Sequence, residues 1–144
     1  MRDFFFALFL LIMNKIIITF TLLFLFSCNH SYKKAEDAQD AGRQFIRASL
    51  DGDYDKALFY MLKDSTNLDI MKGWRSKYEK LSSDEKREYR NADIRPVSID
   101  QQVDSSVNYT FTNSYKQKDT TVLNIIKVNG EWLVDFKMIH KFIH

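Results

Sequence analysis

An almost unbroken apolar run, Phe4 to Phe26, ends two residues before Cys28, the only cysteine of the chain. That junction sets how much of the chain has to fold in water. Three structures could absorb such a run: a membrane-spanning helix, a signal peptide or a buried core helix. A span needs about 20 consecutive apolar residues. Here that length is reached only with Lys15 near the middle, where a lysine costs roughly 2.5–3.5 kcal/mol on insertion scales. Dividing the run at Asn14-Lys15 removes the conflict. Met13-Asn14-Lys15 becomes a short basic n-region and Ile16–Phe26 an apolar h-region, inside the usual length of about 7–15 residues. The run therefore reads as a signal peptide. It starts at Met13, with residues 1–12 as an extension, or at Met1, and the processed chain is the same either way.

Leu25-Phe26-Ser27-Cys28 resembles a bacterial lipobox: an aliphatic residue, a spacer, a small residue, then the cysteine. Phe26 is bulkier than the usual spacer. The resemblance implies cleavage before Cys28, a diacylglyceryl group on its sulfur, and acylation of the freed amine by a chain such as palmitate. Each buried methylene contributes about 0.8 kcal/mol, and two or more chains anchor stably. The expected address is the bacterial cell envelope. The outer membrane facing the periplasm comes first, with the inner membrane or cell surface as alternatives. The expected organisation is a leader over 1–27, a polar tether over 28–34 and one domain over 35–144. Disulfides are permitted outside the cytoplasm, but no second cysteine exists, so this domain is held by its core alone.

The leader inflates the headline composition, since seven of the twelve phenylalanines lie in it. In the rest of the chain acidic and basic residues nearly balance and are mixed in sequence. A nucleic-acid footprint needs a clustered basic surface, so no nucleic-acid partner is expected.

Hydrophobic periodicity then predicts the elements. Ala38, Ala41, Phe45 and Ala48 recur at helical spacing within Ala35–Leu50. Gly52 suits the C-cap, and Asp53 can N-cap a second helix over about Tyr54–Leu62. Ser65 or Thr66 opens a third helix with a stripe of Leu68, Met71, Arg75, Tyr78 and Leu81, and with Ile70 and Trp74 close by. Ser82-Ser83-Asp84-Glu85 has capping-box spacing before a short charged helix, Asp84–Arg90. Near Pro96 the period changes to two. Val97, Ile99, Gln101 and Val103 form one phase, and Val107, Tyr109, Phe111, Asn113 and Tyr115 the next. Thr120–Val128 is more uniformly apolar. Asn129-Gly130 predicts a type I′ hairpin, because both central residues tolerate positive φ. Trp132, Val134, Phe136 and Met138 share the face that follows. Helices followed by four strands predict an α+β fold, with the N-terminal helices packed on a curved four-stranded antiparallel sheet.

Two stretches carry a resemblance. Phe45-Ile46-Arg47-Ala48-Ser49-Leu50-Asp51-Gly52-Asp53-Tyr54-Asp55-Lys56-Ala57 resembles the helical corner that opens nuclear transport factor 2-like, or cystatin-like cone, domains. Val128-Asn129-Gly130-Glu131-Trp132-Leu133-Val134-Asp135-Phe136 is similar to their closing hairpin. Together they resemble small envelope lipoproteins of that superfamily. The resemblance implies a cone-like sheet wrapped around a helix. The superfamily holds isomerases, dehydratases and non-enzymatic modules, and fold alone does not choose among them.

The residues do not supply a catalytic set. An isomerase-like site needs an inward carboxylate with a tuned pKa. Asp135 alternates opposite Trp132, Val134 and Phe136 and is expected in solvent, while Asp100 and Asp104 fall on a polar phase or in a turn. His30 lies in the tether, and His140 and His144 form a pair without a third ligand, where zinc sites use three or four protein ligands. No metal or cofactor is expected. Tyr60, Trp74, Tyr109 and Tyr115 are the candidate pocket residues, set against the plainer reading that aromatics fill the core. The leading expectation is a non-enzymatic, lipid-anchored binding or accessory module for a small ligand or an envelope protein. The alternatives are an isomerase- or dehydratase-like enzyme and a homodimer formed through the sheet face. Replacement Cys28→Ser is expected to move the protein from the membrane to the soluble fraction and to remove the acyl mass from the intact-mass spectrum. Full membrane retention of the substituted, leader-cleaved protein would refute the anchor.

Overall fold

A computed structural model describes residues 31–115 and 120–137. The leader, Cys28, His30, Met138, His140 and His144 lie outside the described residues. Four helices precede a four-stranded antiparallel sheet, the α+β order expected from the change of period. Among the described residues no helix is long and apolar enough to cross a membrane.

Helix α1 spans Ala38–Asp51. The Asp37 carboxylate caps it by accepting from the Asp40 backbone N–H, which satisfies one of the orphan donors of the first turn. Its stripe of Ala38, Ala41, Phe45 and Ala48 is buried as the spacing predicts, joined by Gly42, Ile46 and Leu50. Gly52 ends it at φ 76°, with its N–H directed at the Ala48 and Ser49 carbonyls. Glycine is needed there twice over. The backbone is left-handed, and a Cβ would lie 2.6 Å from the Tyr78 ring. Asp53 caps α2, Tyr54–Phe59.

Helix α3 spans Ser65–Glu79, and its cap is Asp64 rather than Ser65 or Thr66. The Asp64 carboxylate accepts from the Asn67 backbone N–H at 2.8 Å and from Lys137 Nζ at 2.6 Å. A hydroxyl one residue later could not serve both. The apolar stripe is also rotated from expectation. Asn67 and Met71 are buried and Trp74 and Tyr78 are half-buried, while Arg75 is exposed. Helix α4, Ser83–Asn91, opens with the Ser82–Glu85 capping box.

The strands are β1 (Ile94–Val103), β2 (Ser106–Asn113), β3 (Thr121–Val128) and β4 (Glu131–Asp135), in that spatial order. Asn129 and Gly130 both have positive φ, 51° and 81°, as the hairpin between β3 and β4 requires. One sheet face carries Val107, Tyr109, Phe111, Leu123, Ile125 and Val134, all buried in the core with α1. Strand β1 departs from strict alternation. Register shifts fall between Pro96 and Ser98 and between Gln101 and Val103. Each bulge inserts one residue and changes the phase. Ile99 and Gln101 therefore pair with the core-facing Tyr109 and Val107, whereas Val103 pairs with Ser106 on the opposite phase. Val97, Ile99 and Val103 are all exposed. At the other edge, residues 60–62 cover β4 through Leu62 N–H to Val134 O and Val134 N–H to Tyr60 O.

Gly42 sets the distance between α1 and the sheet. A Cβ at this position would lie 2.8 Å from Ile125 Cδ1 and 3.1 Å from Tyr109 Cδ1. Both neighbours are fully buried. Gly73, in the middle of α3, has open space instead. Replacement Gly73→Ala is expected to stabilise by about 1 kcal/mol through helix propensity. Gly42→Ala should lose that gain to overpacking and destabilise by about 1–2 kcal/mol. Urea denaturation of the two variants measures the contrast, and equal shifts would refute the close approach.

Candidate functional site

The small residues of α1 let the helix lie close to the sheet, and the polar residues beside them border an open cleft. The cleft measures about 510 Å³, within the range of small-ligand sites. It is lined by Gln39, Arg43, Gln44 and Arg47 of α1, by Ala92, Asp93, Ile94 and Pro96 at the entry to β1, and by Tyr109 of β2. Gln39, Arg43 and Arg47 lie four residues apart and so form one file along the helix.

The two arginines do different work. Arg47 is committed to the fold. Its Nε donates to Asp51, its Nη1 to the Ala92 carbonyl, and its Nη2 to the Tyr89 and Arg90 carbonyls. The Tyr89 carbonyl also accepts from the Ala92 N–H, the carbonyls that follow it lie past the end of the helical ladder, and one guanidinium gathers all three onto α1. This fixes Ala92–Ile94 as the cleft wall. Arg43 is more open, with a side chain 61% exposed. Only its Nη2 is engaged among the described residues, at 2.9 Å from Asp40.

Asp40 beside it also accepts from the Glu36 backbone N–H and from Gln44 Nε2. Burial pushes its carboxyl up, but the hydrogen bonds from Arg43, Glu36 and Gln44 outweigh this and hold it below the ordinary carboxylate value. Asp40 is therefore kept ionised and is a weak proton acceptor.

Tyr109 is the unusual member. The residue is fully buried, and its hydroxyl makes no hydrogen bond to the protein. Its ring edge packs against the Gly42 backbone. Burial raises its pKa, and the Arg43 guanidinium opposes that rise, so the hydroxyl stays protonated at neutral pH. A buried hydroxyl without a partner costs about 1–3 kcal/mol.

The four candidate residues do not share one cleft. Tyr109 lines it. Tyr60 is buried and donates its hydroxyl to the Lys33 carbonyl at 2.7 Å, tying down the segment before α1. Trp74 packs edge-on against Phe136 with ring centroids 5.1 Å apart. Tyr115 packs on Tyr89 with ring centroids 4.3 Å apart and planes tilted by 38°. Sequence reasoning missed Arg43, Gln44 and Arg47. The readable signal was a polar file flanking the Ala-Gly stripe of one helix.

Asp135 is a correction. It is not in solvent: its side chain is 17% exposed, accepts from Asn67 Nδ2 at 3.1 Å and lies 3.5 Å from Lys137 Nζ. Helix α3 covers it, so strand alternation alone misjudged its surroundings. Its position on the phase opposite Val134 still separates it from Tyr109. Among the described residues no group of three His, Cys, Asp or Glu side chains could hold a metal ion.

Comparison with protein-family models, curated proteins and solved structures returns no match for this chain.

Replacement Arg47→Ala is expected to destabilise by about 2–3 kcal/mol, because it leaves carbonyls at the end of α4 unpaired. Arg47→Lys should recover less than half of that, since an ammonium cannot reproduce the planar fork. Urea denaturation reads both, and full recovery by lysine would refute the multidentate role.

Proposed function

We propose that this chain is a lipid-anchored envelope protein whose domain binds a small ligand in the cleft between α1 and β1 and does not catalyse a reaction. The observation that carries the binding reading is the cleft itself, about 510 Å³ between the polar file of α1 and the entry to β1. Ligand sites combine apolar walls with a few placed polar groups. Here Ile94 and Pro96 supply the first, and Arg43, Gln39 and Gln44 the second.

The anchor rests on the leader and Cys28. The relation to nuclear transport factor 2-like cone domains rests on the corner at Gly52 and the hairpin at Asn129-Gly130, and the order of helices before an antiparallel meander is consistent with it. The non-enzymatic reading rests on the carboxylates. A general base works best with a pKa raised toward neutrality, whereas Asp40 is held low by three hydrogen bonds. Asp135 is engaged by Asn67 and Lys137 away from Tyr109.

A fragment screen on the full-length protein in detergent, followed by amide chemical-shift mapping, tests the binding site. Hits are expected to move the Arg43, Gln44, Ile94 and Tyr109 signals together. Hits that cluster elsewhere, or none at all, would refute the cleft as a ligand site.

A further inference from the structure

Resting on the lipid anchor proposed above, we infer that residues 32–34 hold the α2 side of the domain against the phospholipid headgroups and leave the cleft facing the aqueous phase. The inference starts from how the chain enters the domain. The Tyr32 ring packs on Phe59 of α2 with centroids 5.5 Å apart, and its hydroxyl lies 3.5 Å from the Asp53 carboxylate. The Lys33 carbonyl accepts from the Tyr60 hydroxyl at 2.7 Å. Lys34 pairs with Glu131 of β4. Three consecutive residues are therefore fixed to α2, to the residue that follows it and to β4. The exposed ion pair adds little. The aromatic contact and the Tyr60 hydrogen bond hold the segment.

The chain ahead of this contact is short. Only Asn29, His30 and Ser31 separate Cys28 from Tyr32. An extended chain advances at most about 3.6 Å per residue, so the Cα atoms of Cys28 and Tyr32 lie within about 14 Å of each other. Acyl chains on Cys28 enter the bilayer and draw that residue to the headgroups. Tyr32 then lies within the same reach of lipid. The surface around it suits this place. Tyr32 and Phe59 are half-buried, so part of each ring reaches the surface, and exposed Lys33 and Lys34 flank them. Tyrosine, with its apolar ring and polar tip, is enriched at membrane–water interfaces.

The order of the strands decides where the cleft points. Residues 60–62 cover β4, which is one edge of the sheet, and β1 is the other. The cleft opens at the entry to β1. Three strand spacings, about 14 Å, separate the two edges. The held segment and the cleft therefore lie toward opposite edges of the sheet. An anchor that draws in the β4 edge turns the β1 edge outward, and a ligand reaches the cleft from water and not out of the bilayer.

The test uses the full-length, acylated protein added to preformed phosphatidylcholine vesicles that carry nitroxide on some headgroups. Acylation consumes the only natural thiol. Asp55→Cys on α2 or Val97→Cys on β1, both at exposed positions, then takes a single fluorophore. Headgroup nitroxide is expected to quench the label on α2 about threefold more than the label on β1, and iodide in the water should show the reverse order. An insertion of about 12 Gly/Ser residues between Ser31 and Tyr32 lengthens the connection as a flexible coil and should bring the two labels together.

Equal quenching of the two labels by nitroxide, or stronger quenching on β1, would overturn the orientation. A difference that survives the insertion would overturn the short connection as its cause. If the intact mass carries the acyl chains and the protein floats with the vesicles while the labels do not differ, this inference fails and the anchor stands. If the mass lacks them and the protein does not float, both fail.

Discussion

The contact of Gly42 with Ile125 and the Tyr109 ring governs the rest of this domain. With no side chain between them, helix and sheet approach to a distance that even one methyl group would disturb. Ala38, Ala41 and Ala48 extend the same close face along α1, and Phe45 fills the space toward Phe136 and β4. Dispersion and burial of apolar area act over the whole of this contact, and with no second cysteine in the chain no disulfide substitutes for it. The close approach also has a consequence for Tyr109. Its ring is trapped under the helix, so its hydroxyl cannot swing out to water and remains where the helix leaves it.

Charge work is arranged around that contact rather than within it. Arg47 joins the end of α4 to α1 by collecting the Tyr89, Arg90 and Ala92 carbonyls. Asp64 does comparable work at the other end of the domain, capping α3 while holding Lys137. The surface ion pairs along the helices, such as Arg75 with Glu79 and Lys72 with Asp69, are well exposed and contribute little. The groups that matter join elements distant in sequence, and Arg47 among them holds one wall of the cleft.

Much of the local structure was legible from residue order. Gly52 and Asp53 placed the corner between the first two helices, Ser82 and Glu85 announced the fourth helix, and Asn129-Gly130 placed the last hairpin. These signals are local, because each depends on the φ preference or the hydrogen bonds of a few adjacent residues. Where a feature depended on distant partners, sequence reasoning slipped. Asp64 was passed over as a cap although its bond to the Asn67 N–H is local, because Ser65 and Thr66 are also cap-forming types and the Lys137 partner that favours Asp64 is 73 residues away. The α3 stripe was drawn through Arg75 because Asn67 looks polar, although Asp64 and Asp135 satisfy its amide nitrogen in the interior. The bulges of β1 left no mark in the alternation of Val97, Ile99, Gln101 and Val103, so Val103 was placed on the wrong phase.

The sequence by itself determined the kinds of element, their order and most of their ends, and it supplied the motif at Cys28 on which the expectation of an anchor rests. It did so because periodicity and capping are properties of neighbouring residues. Only the tertiary structure decided what the aromatics do. Four were candidates for one pocket. Packing spread Tyr60, Trp74 and Tyr115 among the Lys33 carbonyl, Phe136 and Tyr89 and left Tyr109 alone beside the arginine file. The physical reason is that burial and pairing depend on which surfaces meet, and the distance from Gly42 of α1 to Tyr109 of β2 is a property of the folded core alone.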